Sequence, residues 1–388
     1  MILQFRNLII CLIFLFKTAS AQESELIQCK IYIKVLLEET ETDKEIHISC
    51  LKGIKIKFNE NQTKILKKIK INLNNKSIKI NEVEHPSILI QNEQIRHLEF
   101  APVNGYIKLA DKEYQGSILI LKSDNKFQII NKVELEDYIY SVLKTESWPG
   151  WPLEINKVLA IAIRSYAIAK FLESKNKLNY HIKNTNKHQT YTGVHNCHVL
   201  REATEQTKGI ILAHKNKPIL AMFDICCGGV IPAHMHNINF EHAPYLKRKK
   251  ICNFCQSYKH YSWENSFNRS ELEEILKKEI PQIKNLKRII ITKKDKAGIV
   301  KQLSVNDKKN SFQLNSKKFY SLLKIKSHCY TFIHRPQKII IKGKGFGHHL
   351  GICQWGARKM VEEGWDHKSI LEFYYPGANF MKLKKKIN

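Results

Sequence analysis

Two helical segments of opposite character, joined by a break no helix can cross, constrain this chain more than any other feature. Glu134 to Lys144 carries Leu135, Tyr138, Ile139, Val142 and Leu143 on one face, the spacing of an amphipathic helix. Ser147-Trp148-Pro149-Gly150-Trp151-Pro152 follows, and its two prolines and glycine must end that helix. From about Leu153 to Leu172 the chain is again helical but apolar nearly all round, through Val158 to Ile163 and Tyr166 to Ala169. A helix apolar on every side has to be covered on every side. It is therefore expected at the centre of the fold, with the remaining elements layered around it. Glu154 in its first turn and Lys170 towards its far end suit the helix dipole.

The rest of the pattern supplies those layers. Lys30 to about Lys126 alternates in the manner of strands (Ile31–Leu37, Ile46–Ile56, Ile65–Leu73, Ser77–Ile80, Gly116–Leu121), broken by Asn, Asp, Gly and Lys clusters. A short helix near Arg201–Gln206 and a hairpin of Gly209–Ala213 with Pro218–Asp224 come after the central helix. Ser270–Leu276 reads as helix and Leu286–Val305 as paired strands, and helices over Gln354–Glu363 and Lys368–Tyr375 close the chain. The expected class is α+β: an N-terminal antiparallel β-rich layer, a central buried helix with a loop of chemical interest, and a mixed α/β C-terminal part. The expected divisions are 1–21 (signal peptide), 22–126 (β-rich), 127–240 (core), 241–340 (α/β insertion with Cys-x-x-Cys) and 341–388 (glycine-rich turn and closing helices).

Residues 1–21 read as an export signal. Arg6 precedes a short apolar run, Leu8 to Phe16, and Ala19-Ser20-Ala21 offers small residues for cleavage. That run is about half of the roughly 20 residues a membrane-spanning helix needs. The mature chain is thus expected outside the cytosol, in the periplasm or cell envelope, without an integral span. Sixty-four basic residues against 36 acidic give a net charge of +28. Such a charge favours polyanionic partners, although the lysines are spread through every region and accompany the Ile and Asn richness of an AT-rich genome. Export and the lack of a nucleic-acid motif exclude nucleic acid as partner.

Nine cysteines follow the signal: Cys29, Cys50, Cys197, Cys226, Cys227, Cys252, Cys255, Cys329 and Cys353. Outside the cytosol disulfides are the default, Cys252 with Cys255 among them. Yet Cys-x-x-Cys is also a metal-knuckle spacing. Cys227, Cys252 and Cys255, with Cys226 adjacent and His188, His234 or His236 as the imidazole, make a candidate zinc set; the set taken forward is Cys227, Cys252, Cys255 and His188. His195, Cys197 and His198 form a lesser cluster.

Glu146 stands where the first helix ends and the Trp/Pro break begins. A helix C-terminus carries partial negative charge, and Trp148 and Trp151 would partly desolvate the carboxyl. Both effects favour the protonated form, as a general acid requires. Two nearby indoles also offer a flat apolar platform for sugar rings. A solvated loop glutamate would share the composition.

The segment from Asn131 to Pro152, followed by Ala162-Ile163-Arg164-Ser165-Tyr166-Ala167, resembles the signature of the SpoIID/LytB family. A second block is similar to that family's glycine-rich motif: Gly343-Lys-Gly345-Phe-Gly347-His348-His349-Leu-Gly351-Ile-Cys353-Gln354-Trp-Gly356-Ala357, then Tyr374-Tyr375-Pro376-Gly377. Gln189-Thr190-Tyr191 and Cys227-Gly228-Gly229 match landmarks between them. His349 replaces a family glycine, and Leu159 stands where a Gln is usual. The resemblance implies a peptidoglycan lytic transglycosylase, acting in some members on strands stripped of peptide, with Glu146 as single acid. It also implies substrate contacts from Trp148, Trp151, Arg164, Ser165, Tyr191, His348 and Gln354, and in some members a zinc near the glutamate. The other role attached to the family is that of a wall-binding protein enhancing a partner amidase. Arg164 has a structural alternative, an ion pair with an acidic residue behind the site. A zinc amidase is a third class, unsupported by any His-Glu-x-x-His pairing.

Overall fold

The computed structural model describes residues 30–41, 44–58, 62–73, 77–82, 88–91, 97–123, 126–174, 178–186, 188–236 and 238–383. The signal at 1–21 and Cys29 lie outside them. The class is α+β. The chain divides into two compact units, one reaching Leu220 and including the chain from Phe380, the other Ala221–Asn379.

The first unit is built on a mostly antiparallel sheet. Tyr32–Thr40 pairs with Lys126–Glu134, which pairs with Ser117–Ser123 and through it with Leu98–Pro102. The sheet continues into the long hairpin of Lys44–Phe58 and Gln62–Leu73, then Ser77–Glu82 and Ile88–Gln91. Period-two alternation explains the outer strands: Ile69, Ile71 and Leu73 point inward and are almost wholly buried, with Lys70 between them exposed. Lys126–Glu134 obeys no such alternation. Phe127, Ile129, Ile130 and Val133 are all buried, because this strand lies inside the sheet and is covered on both faces.

That strand runs without a loop into helix α1 (Leu135–Glu146). The break follows, then α2 (Leu153–Ser174), and after a long connection α3 (His198–Gln206). Val158, Leu159, Ile161, Ile163 and Ile168 of α2 are 0% exposed. Each such side chain contributes about 1.5–3 kcal/mol when fully buried, so α2 is the central helix its composition demands. A small sheet orders Lys217–Pro218, Ile210–His214 and the last strand, Asn379–Lys382. The expected hairpin is thus shorter than its sequence suggested. Lys217–Pro218 completes it, while Phe223–Asp224 pairs in parallel with Ile352–Cys353 of the second unit.

The second unit holds two three-stranded sheets. Ser262–Asn268 and Tyr330–His334 flank Lys338–Lys344. Arg288–Lys294, Val300–Asn306 and Ser311–Asn315 form the other. Helices α4 (Arg269–Lys277) and α5 (Ser316–Leu323) pack on them through Leu272, Leu276 and Phe319, against Ile289, Leu303, Ile339 and Ile341. Helices α6 (Gln354–Glu362) and α7 (His367–Tyr374) follow the glycine-rich turn. Among the described residues no helix is long and apolar enough to cross a membrane.

Candidate functional site

Glu146 is the last residue of α1, which runs two residues beyond the Lys144 end read from sequence. It is half-buried. Burial pushes its carboxyl above the ordinary carboxylate range, while the backbone N–H of Thr190, donating to it, pulls the other way. Thr190 is held in place from both sides. Thr145 Oγ1 donates to its carbonyl at 2.8 Å, and Tyr138 O–H donates to Gln189 Oε1 at 2.8 Å. Tyr191 O–H donates to Asn131 Oδ1 at 2.6 Å, and Asn131 Nδ2 in turn donates to the carbonyls of Gln115 and Ser117. The rings of Tyr114, Tyr191 and Tyr138 stack at 5.9 and 5.5 Å. The carboxyl's setting is therefore anchored to the sheet by a buried hydroxyl–amide chain, the kind of network that fixes a single geometry.

The break after Glu146 turns one indole out and the other in. Trp148 is 44% exposed; Trp151 is 4% exposed, its ring 6.5 Å from that of Trp148. Gly150, at φ +76°, makes that turn. Asn156, a residue the sequence reading passed over, fastens the loop. Its Oδ1 accepts from Ser147 Oγ at 2.5 Å, and its Nδ2 donates to the carbonyls of Trp151 and Pro152 at 3.1 Å each. An Asn in the first turn of an apolar helix, just after a proline break, was the available signal.

The other expected sugar contacts in this unit are corrected by burial. Arg164 is 0% exposed and grips Glu136 with two N–H groups, Nε at 3.0 Å and Nη2 at 2.7 Å. It also donates to the carbonyls of Ile210 and Thr204, so it takes the structural role. Ser165 Oγ donates to Ile161 O and accepts from the Leu212 N–H. Tyr191 serves the network described above. None of the three presents a face to solvent. Glu134, Glu136 and Asp137 sit at the far end of α1, roughly 14 Å or more from Glu146 at about 1.5 Å rise per residue.

In the second unit the glycine-rich turn keeps its form despite His349. That residue adopts φ +66°, a conformation costing a non-glycine about 1–2 kcal/mol. Its N–H donates to Asp224 Oδ2 at 2.6 Å, and its Nδ1 lies 2.9 Å from Cys227 O, contacts that offset the strain. Gly351 is required by close approach: a Cβ there would stand 1.8 Å from Met222 O. His348 is exposed, its Nδ1 accepting from the Leu350 N–H, whereas Gln354 is 3% exposed at the start of α6.

The expected metal set is corrected in one member. Cys227, Cys252, Cys255 and Cys353 bring their Sγ atoms within 4.8 Å of one another, all buried. The fourth member of the group is Cys353, and His188 is not part of it. His188 belongs to the first unit, where its Nδ1 accepts from the Lys183 N–H and its ring meets Tyr166 edge-on. Nor do His195, Cys197 and His198 converge: His195 Nε2 bonds Tyr140 O, and His198 is exposed. Among the described residues, no metal-capable group forms around Glu146.

Comparison with known proteins covers both units. Residues 123–214 match the stage II sporulation protein (SpoIID) family, and residues 238–351 match a domain of unknown function. An uncharacterized protein of Brachyspira hyodysenteriae is 30% identical over 70% of this chain and 73% of its own length. An amidase enhancer of Bacillus subtilis is 26% identical over 61% of the chain but only 39% of its own length. A stage II sporulation protein D of Bacillus amyloliquefaciens is 24% identical over 69% of the chain and 79% of that protein.

Proposed function

The chain belongs to the SpoIID family, and from that premise we propose that it is a peptidoglycan lytic transglycosylase of the cell envelope with Glu146 as its acid. The carrying observation is the half-buried Glu146, pushed towards its protonated form by burial and followed two residues later by the solvent-facing Trp148. A protonated carboxyl gives its proton to the glycosidic oxygen between N-acetylmuramic acid and N-acetylglucosamine as the C1–O bond breaks. The C6 hydroxyl of the same muramic residue then attacks C1, and the Glu146 carboxylate accepts the hydroxyl proton. A 1,6-anhydro end results, and no water is consumed. Glycosidases that use water need a second carboxylate about 5–9.5 Å from the first. The three carboxylates at the start of α1 lie beyond that reach. Trp148 supplies the stacking face, and the net charge of +28 suits anionic wall polymer.

A second reading takes its support from the name of the amidase-enhancer relative: a wall-binding protein that stimulates a partner amidase. One experiment separates the two. Purified chain is incubated with peptide-free glycan strands and the products are examined by mass spectrometry, with Glu146→Gln alongside. Anhydromuramic ends from the wild type alone are expected. Their absence refutes the enzyme, and stimulation of an added amidase by such an inactive wild type establishes the enhancer; undiminished release by Glu146→Gln refutes Glu146 as the acid.

A further inference from the structure

We infer that Cys227, Cys252, Cys255 and Cys353 form a closed four-thiolate zinc site that staples the glycine-rich turn to the Cys-x-x-Cys segment of the second unit. A tetrahedral zinc with bonds to sulfur of about 2.3 Å places its four sulfurs about 3.8 Å apart. Cys227 Sγ and Cys255 Sγ are 3.7 Å apart, and all four sulfurs fall within 4.8 Å. Tetrahedral sulfur-only surroundings select zinc over the harder divalent ions.

The surroundings are those of a thiolate cage. Two backbone N–H groups, of Cys227 and Gly356, donate to Cys353 Sγ at 3.2 and 3.3 Å, and Tyr374 O–H lies 3.3 Å from Cys252 Sγ. Such outer contacts orient ligands. Gly356 has to be glycine here: a Cβ would stand 2.8 Å from Cys252 Sγ and 3.2 Å from Cys353 Sγ. The four cysteines are at most 2% exposed, which leaves no open coordination position for a water or substrate. A closed site of this kind is structural rather than catalytic.

What it joins gives it a purpose. Cys227 opens the Cys-Gly-Gly turn, Cys252 and Cys255 belong to the Cys-x-x-Cys turn, and Cys353 caps α6. The Cys227 carbonyl also meets His349, and Cys226 exchanges backbone bonds with Phe346 of the glycine-rich turn. One ion would therefore hold segments 126 residues apart in sequence, and with them the turn that presents His348.

The test uses the full chain purified without chelators. Plasma mass spectrometry is expected to find about one zinc per chain. Zinc K-edge X-ray absorption on that same wild-type protein is expected to show four sulfurs at about 2.3 Å. Cys353→Ser should lose the metal or show a three-sulfur shell, whereas Cys226→Ser and His188→Ala should keep both metal and spectrum. A shell containing nitrogen, metal loss on His188→Ala, or denatured protein whose four cysteines alkylate only after reduction would each overturn the inference. The wild-type spectrum decides even where Cys353→Ser does not fold. None of these readouts depends on glycan cleavage, so the inference and the proposed activity fail separately.

Discussion

Glu136→Gln offers the sharpest test of why Arg164 is in this fold. The Arg164 side chain is fully buried and that of Glu136 is 20% exposed. The carboxylate takes two charge-assisted bonds, at 3.0 and 2.7 Å, and one from the Gly209 N–H at 3.2 Å. Removing one partner of a buried pair costs about 3–5 kcal/mol, because the other charge is left without compensation. The partial exposure of Glu136 puts this case at the lower end, about 3 kcal/mol. For a unit near 200 residues, at roughly 2–4 °C per kcal/mol, the transition should fall by roughly 6–12 °C. Calorimetry of the first unit's transition would read it. The double variant Arg164→Met with Glu136→Gln should recover much of the loss, since no buried charge remains. A fall equivalent to under about 1 kcal/mol, or lost glycan cleavage at unchanged stability, would refute the structural role and return Arg164 to the substrate.

Other consequences follow from the same site. Because burial raises the folded-state pKa of Glu146 above its ordinary 4.5, the folded chain binds that proton more tightly than the unfolded one. Its stabilising contribution is complete below about pH 4.5 and is lost as pH rises through the raised value. Chemical denaturation across pH should show that decline in the wild type and a flatter profile in Glu146→Gln, and cleavage should fall over the same rise in pH. The two tryptophans should separate cleanly. Trp148→Ala is expected to weaken glycan binding, measured by pull-down on purified wall, with little loss of stability, whereas Trp151→Ala should cost about 3–5 kcal/mol in denaturant unfolding. Asn156→Ala removes the side-chain bonds to the Trp151 and Pro152 carbonyls and the acceptor of the Ser147 hydroxyl, and should cost about 1–3 kcal/mol; cleavage should drop with it as the loop loosens.

Much of this architecture was legible in the chain, for reasons specific to its elements. The apolar helix and its break announced themselves because composition and proline chemistry act locally. The strand Lys126–Glu134 did not: buried on both faces, it lacks the alternation that marks a half-exposed strand. Cys227, Cys252 and Cys255 of the thiol cluster are legible from their spacing, whereas Glu146 is singled out by the family resemblance more than by its neighbours. Cys353 is not legible from spacing, since only the closure of the glycine-rich turn brings it to Cys227, and spacing alone does not show that His188 stays apart from the cysteines. Arg164, Ser165 and Tyr191 are polar residues whose partners arrive from distant elements. Local pattern cannot tell such buried, satisfied groups from ligand-facing ones.

The last strand, Asn379–Lys382, lies beside Ile210–His214, whereas everything from Ala221 to Asn379 belongs to the other unit. A ribosome therefore makes Glu146 and the central helix that follows it long before the strand that completes the small sheet. Until that strand arrives, Ile210–His214 keeps an open edge, a template for wrong pairing. Completion of the first unit must wait for the whole second unit to be synthesised, and a frameshift or proteolytic cut near the C-terminus would strike the N-terminal half of the fold. Asn379–Lys382 thus makes completion of a sheet begun at Ile210 depend on everything synthesised between them.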